Sequence, residues 1–179
     1  FTIDGNELKI DASPDYETQS SYNIRLKTTD SAGLSYEEVF TLDVNNVNEV
    51  ATDISLSATS LNENIDSDSV VATLSTTDED TSDTHTYELV SGDGDTDNAL
   101  FTIDGNELKI DESPDYETQS SYNIRLKTTD SAGLSYEEAF TFNVNNIIET
   151  ISSSKNMILS VSADNLTLTG SGNINGNGN

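Results

Sequence analysis

"SYNIRLKTTDSAGLSYEEAFTFNV", residues 121–144, decides how this chain folds. Tyr122, Ile124 and Leu126 alternate with polar residues, as do Phe140, Phe142 and Val144 beyond the turn signal "DSAG". Successive side chains on a strand point to opposite faces, so each run presents one apolar face. No segment of the chain carries a sustained 3.6-residue period, and a helical reading fails.

The same alternation continues upstream. Ile54 and Leu56 share a face, then Val70, Ala72 and Leu74, then Tyr87 and Leu89, then Phe101 and Ile103, then Leu108 and Ile110. Together these make seven short strands in under 100 residues, punctuated by "SGDG", "DGN" and "DSAG". Seven strands at this spacing predict an all-β fold, a seven-stranded immunoglobulin-like sandwich.

The chain repeats itself. Residues 1–50 return at 101–150, and only positions 12, 39, 42, 43, 47, 48 and 50 differ from their partners 100 residues on. A period of 100 is a whole small β domain rather than a solenoid turn. The expected organisation is therefore the C-terminal half of one copy at 1–50, a complete copy at 51–150, and a Gly/Asn-rich tail at 151–179. "FTIDGNELKI" starts abruptly inside the motif, which reads as a fragment of something longer.

With 33 acidic residues against 7 basic ones, the formal charge is −26. Nucleic acid and anionic membrane surfaces would repel such a chain. Acidic chains with few hydrophobes are often disordered, but 7 Tyr, 5 Phe and the alternating runs oppose that here. There is no Cys, so neither a disulfide nor a thiolate metal site is available. No apolar run approaches a membrane span.

In a sandwich with strands A to G, the B–C and F–G loops lie at one end, and A–B and E–F at the other. "TTDEDTSD" is then the B–C loop with Asp78, Asp80 and Asp83, and "TTDSAG" the F–G loop with Asp130. "LNENID" carries Glu63, and "SPDYETQ" carries Asp115 and Glu117 at the opposite end. Stacked in tandem, two copies bring Asp15 and Glu17 of the first towards Asp78, Asp80 and Asp130 of the second. The joint between them, "NNVNEVATD" at 45–53, has no Gly or Pro and adds Asn46, Asn48 and Glu49. Such a set of hard oxygen ligands suits Ca²⁺, which takes six to eight oxygens in a forgiving geometry. Mg²⁺ demands a smaller octahedron, and zinc prefers His or Cys.

These motifs resemble the cadherin repeat, in the form found in large bacterial surface adhesins. The carriers are Glu63-Asn64, Asp78-x-Asp80, the "DYE" triplets at 15–17 and 115–117, the "TTDSAG" turn, and the linker residues Asn46, Asn48, Glu49 and Val50. The resemblance implies a Ca²⁺-rigidified spacer in cell adhesion, placed outside the cell or on its surface, with up to three ions per joint. It gives Val50 a role through its backbone carbonyl, and it makes homophilic adhesion an expectation. It also implies a weaker lower site of Glu63, Asp115, Glu117 and Glu149, since Ile148 stands where the linker has Asn48. Partners would be neighbouring repeats of the same chain; a glycan or protein ligand stays unnamed. Absence of Trp argues against adhesion by insertion of a tryptophan.

Several features have a second reading. "DGDTDN" at 93–98 looks like an EF-hand loop through Asp93, Asp95 and Asp97, but Asn98 stands where Gly belongs, and a surface turn explains it as well. The pair Glu137–Glu138 reads as exposed decoration. His85 has no repeated partner, no nucleophile or phosphate-loop motif is present, and the chain does not read as an enzyme. Lys109 is out of phase with Leu108 and Ile110 and should point outward. The tail "SADNLTLTGSGNINGNGN" resembles the lead-in to Gly/Asp-rich (RTX-type) calcium-binding repeats of secreted bacterial proteins, or is a flexible end with one short strand near Leu166 and Leu168. A Ca²⁺-dependent glycan- or peptide-binding module is the alternative function. Finally, residues 1–50 could compete for strands A–C of another chain and give a domain-swapped homodimer, because the short linker makes a return within the same chain hard.

Overall fold

The computed structural model describes residues 1–148; the tail and Glu149 lie outside the described residues. Two compact units make up the chain. One takes Phe1–Ser55, Ser75–Glu88 and Leu126–Glu138; the other takes Leu56–Leu74, Leu89–Arg125 and, among the described residues, 139–148.

The first copy forms two hairpins. β1 (Thr2–Asp4) pairs with β2 (Glu7–Lys9), turning at Gly5, and β3 (Ser21–Thr29) pairs with β4 (Ser35–Asp43). The complete copy supplies β5 (Asp53–Leu56), β6 (Ser60–Asn62), β7 (Ser69–Thr77), β8 (Thr86–Leu89), β9 (Phe101–Asp104), β10 (Glu107–Ile110), β11 (Ser121–Thr129) and β12 (Ser135–Asn145). A 3₁₀ turn, Asn98–Leu100, precedes β9. One sheet has the order β5-β7-β10-β9 and the other β6-β12-β11-β8. This is the expected immunoglobulin-like sandwich, with one difference. The first strand is divided, and its second piece crosses to the other sheet to pair in parallel with β12, Leu61 against Val144. A single segment thereby supplies an edge strand to each sheet.

The core follows the alternation. Leu108, Ile110, Ile124, Leu126 and Phe142 are all fully buried, with Ile54, Ala72, Leu74 and Val144 close behind. Phe101 meets the Tyr122 ring edge-on at 5.6 Å and lies 6.0 Å from Phe142. Val70 departs from the expected face and is 47% exposed. Leu108 pairs with Ala72 but Lys109 pairs with Val70, so Val71 is an extra residue, and this bulge turns Val70 outward. Lys109 ion-pairs with Asp104 at 2.7 Å.

β12 holds the opposite surprise. Glu138 lies on the same alternating face as Phe140 and Phe142 and is half-buried. Its carboxylate accepts a 3.4 Å hydrogen bond from the Ile54 N–H, so it is a tether for β5 and not surface decoration.

Candidate metal centre

The joint residues 45–53, the B–C loop and the F–G loop all belong to the first compact unit. Two turns prepare the site. Asp130 Oδ1 accepts from the N–H groups of Ala132, Gly133 and Leu134, which closes the F–G turn beneath it. Gly133 sits at φ +96°, a conformation that side chains disfavour, which is why the turn needs glycine there. In the B–C loop, Asp78 Oδ1 accepts from the Asp80 N–H, so two carboxylates two residues apart are held in one turn.

Onto these turns comes the linker. The Asn46 amide donates to Asp80 Oδ1 at 2.8 Å, the Glu49 N–H donates to Asp80 Oδ2 at 2.9 Å, and the Asn48 amide donates to Asp130 Oδ2 at 2.7 Å. Asp80 and Asp130 are buried. Carboxylate oxygens of Glu17, Glu49 and Asp80 lie within 4.8 Å of one another. Three negative charges so close repel strongly in a partly desolvated site. Burial, followed by the charges of Asp80, Glu17 and Glu79, pushes the Glu49 carboxyl above its ordinary pKa. The Asn46 and Glu49 hydrogen bonds hold Asp80 below the usual aspartate value, and the Asn48 amide does the same for Asp130. Glu49 Oε2 is buried without any hydrogen-bond partner.

The remaining expected ligands fall in several places. Asp15 is turned onto its own loop, accepting from the Glu17 and Thr18 N–H groups and the Thr18 hydroxyl. That hydroxyl is the chief cause of its lowered pKa. Asp78 Oδ2 lies 3.0 Å from His85 Nε2, a pairing that His85 gave no sequence sign of. The Val50 side chain is exposed. Asp83 lies in the same B–C loop. One of its oxygens accepts from the Ser131 hydroxyl, and the other is buried and unpartnered.

A second acidic group occupies the other unit. Glu63, Asp115 and Glu117 carry oxygens within 4.8 Å of one another. Glu63 is buried, and its two oxygens accept from the backbone N–H groups of Tyr116 (2.9 Å) and Ile147 (2.5 Å). Asn146 donates to Glu117 Oε1 at 2.9 Å, while Asp115 caps its own turn through Thr118. The two groups thus share a plan, a DYE turn met by a glutamate from elsewhere in the chain.

The loop at 93–98 is organised differently. Asp95 accepts from the Gly92 N–H, and Asp97 accepts from the Gln119 amide and the Asn123 N–H. Gly94 sits at φ +90°, and a Cβ there would meet the Ala139 side chain at 2.8 Å. These acids close a turn against β11.

No protein-family profile matches the sequence. No curated protein matches it either. Solved structures do. Protocadherin gammaB7 EC3-6 aligns with TM-score 0.58 and 22% identity over 75% of this chain and 35% of its own. Protocadherin gamma B2 extracellular cadherin domains 3-6 give 0.58 and 20% over 75% of this chain and 35% of their own. Human protocadherin-24 EC1-2 gives 0.61 and 22%, covering 79% of this chain and 73% of its own. The fold is cadherin-like. The chain spans only about a third of the length of the first two structures, and the likeness is one of fold.

Proposed function

We propose that the chain is a non-enzymatic, calcium-binding spacer module of a large secreted or cell-surface adhesin, of the bacterial kind its motifs resemble. The observation that carries this reading is the meeting of Glu17, Glu49 and Asp80, with the buried Glu49 oxygen left without a partner. Mutually repelling carboxylates with an orphaned oxygen fit a divalent cation, and an all-oxygen donor set fits Ca²⁺ best. Glu17, Glu49 and Asp80 would hold it, with Asn48 and Asp130 beside them. Bound Ca²⁺ would neutralise the charge and tie first-copy, linker and second-copy residues together, stiffening an otherwise repelling joint. Glu63, Asp115 and Glu117 form a second candidate group of the same chemistry.

Sites of this type in extracellular modules bind at about 10⁻⁴–10⁻³ M, so they fill outside the cell and empty within it. Calorimetric titration of Ca²⁺ into chelator-stripped protein tests the reading, with Mg²⁺ as control and Asp80→Ala as comparison. Saturable, Ca²⁺-selective binding weakened in Asp80→Ala is expected. Heat that Mg²⁺ reproduces, or that the variant leaves unchanged, overturns it and makes the joint a plain acidic spacer.

A further inference from the structure

Towards the joint, two facing strands of the complete copy turn polar in step. On β7 the inward series runs Ala72, Leu74, Thr76 and then Asp78 beyond the strand end; on β11 it runs Ile124, Leu126, Thr128 and then Asp130. β7 and β11 belong to different sheets. The Thr76 hydroxyl meets that of Thr128 at 2.8 Å and donates to the Tyr87 hydroxyl on β8 at 3.0 Å. Thr76 has one hydroxyl proton to give, so Thr128 is the donor between the two threonines. Thr128 is fully buried. Sheets normally pack about 10 Å apart, and side chains as short as threonine touch across that gap only where it narrows. Each strand places its aspartate two residues, roughly 7 Å, beyond its threonine. The loops that follow are stiff: Asp78 accepts from the Asp80 N–H, and Asp130 from three N–H groups of its own turn. The linker grips both loops at once, Asn46 and Glu49 on Asp80 and Asn48 on Asp130.

We propose that the Thr76–Thr128 hydroxyl pair positions the metal centre, by setting the spacing between the B–C loop, with Asp78 and Asp80, and the F–G loop, with Asp130. The spacing is a matter of the fold; its effect on metal binding rests on the calcium reading. Neither threonine needs to touch the ion, since both act through the aspartates two residues on. The two hydroxyl oxygens approach to 2.8 Å because they share a proton, whereas a methyl carbon keeps about 3.5–4.0 Å from its neighbour. Valine at 128 would therefore press the two strand ends apart by up to about 1 Å. A bound ion tolerates only about 0.2 Å in its ligand distances. A linker that holds both loops cannot follow the two of them apart. Thr76 keeps the Tyr87 hydroxyl as its acceptor in that variant, so no buried proton is stranded and the fold survives the change.

The test compares Thr128→Val, Thr128→Ser and Leu108→Ala with the parent chain in two measurements: exchange of the Glu49 amide proton in chelator, and calorimetric titration of Ca²⁺. In Thr128→Val the Glu49 amide should exchange faster, and Ca²⁺ should bind about tenfold more weakly or worse. Serine restores the hydroxyl, so Thr128→Ser should match the parent in both. Leu108→Ala, a core change in the other compact unit, should melt lower yet leave both measurements unchanged. The proposal is overturned if either measurement ignores Thr128→Val, or if serine fails to rescue. It is also overturned if Leu108→Ala gives the same loss, which would make the effect one of stability alone. A parent that takes up no Ca²⁺ overturns the calcium reading instead, and exchange in chelator then decides the spacing.

Discussion

Residues 1–48 and 101–148 are almost the same sequence in two different situations. Leu8 is 40% exposed and Leu108 is 0% exposed, Ile10 is 44% and Ile110 is 1%, Phe1 is 42% and Phe101 is 3%. Both copies form the same hairpins, β1–β2 like β9–β10 and β3–β4 like β11–β12, so local sequence and turn chemistry are sufficient for strand and register. Burial is not a property of those residues. It belongs to the strands that cover them, β5 to β8, which the complete copy has. The DYE turns show the same contrast at the acidic groups. Glu17 meets Glu49 and Asp80, whereas Glu117 meets Glu63.

The sharpest way to break this comparison is a matched pair of truncations. Leu108→Ala should cost about 2–5 kcal/mol in urea unfolding, because it opens a cavity in a sealed core. Leu8→Ala should cost less than about 1 kcal/mol, as partly exposed substitutions do. Equal costs would mean that the first copy is covered too. Next, Glu63→Ala strands the Tyr116 and Ile147 N–H groups and should cost about 1–3 kcal/mol in chelator. The loss should be read as a lower melting temperature even with no metal present.

At the joint, Asp130→Ala removes the oxygen that caps the F–G turn and the partner of Asn48. Asp30→Ala removes only an exposed turn cap, to Ala32 and Leu34. The first should lower the melting temperature and weaken Ca²⁺ binding on the order of tenfold or more; the second should leave Ca²⁺ binding unchanged. Calorimetry on the pair decides.

Glu49→Gln sharpens the electrostatics through its sign. The Glu49 pKa is raised on folding, so its ionised form opposes the folded state once pH passes that raised value. In chelator near pH 7 the glutamine variant should melt higher than the parent, and in saturating Ca²⁺ it should melt lower. Asp80 and Asp130 have the opposite sign. Their pKa values are lowered, so their contribution is present above about pH 4 and fades as pH falls through the folded values. An acid titration in chelator should therefore show the difference between Glu49→Gln and parent vanish below about pH 4, where Glu49 is protonated in both folded and unfolded chains. This is the smallest of the expected effects.

The alternation of Leu108, Ile110, Ile124, Leu126 and Phe142 fixed the strands, the inward face and the class of fold, because a period of two leaves one set of residues to be covered. The 100-residue repeat and the acids in loops at the sandwich ends were also plain in the chain itself. Tertiary structure alone decided what covers each face. It set the bulge that turns Val70 out, the inward Glu138 that holds Ile54, the approach of His85 to Asp78, and the meeting of Glu17, Glu49 and Asp80. Each of these depends on groups far apart in sequence, and no local pattern encodes a distance across a fold. Two nearly identical sequences, one buried and one open, make the point physically: a side chain sets what it prefers to touch, and only the assembled strands set what is there to be touched.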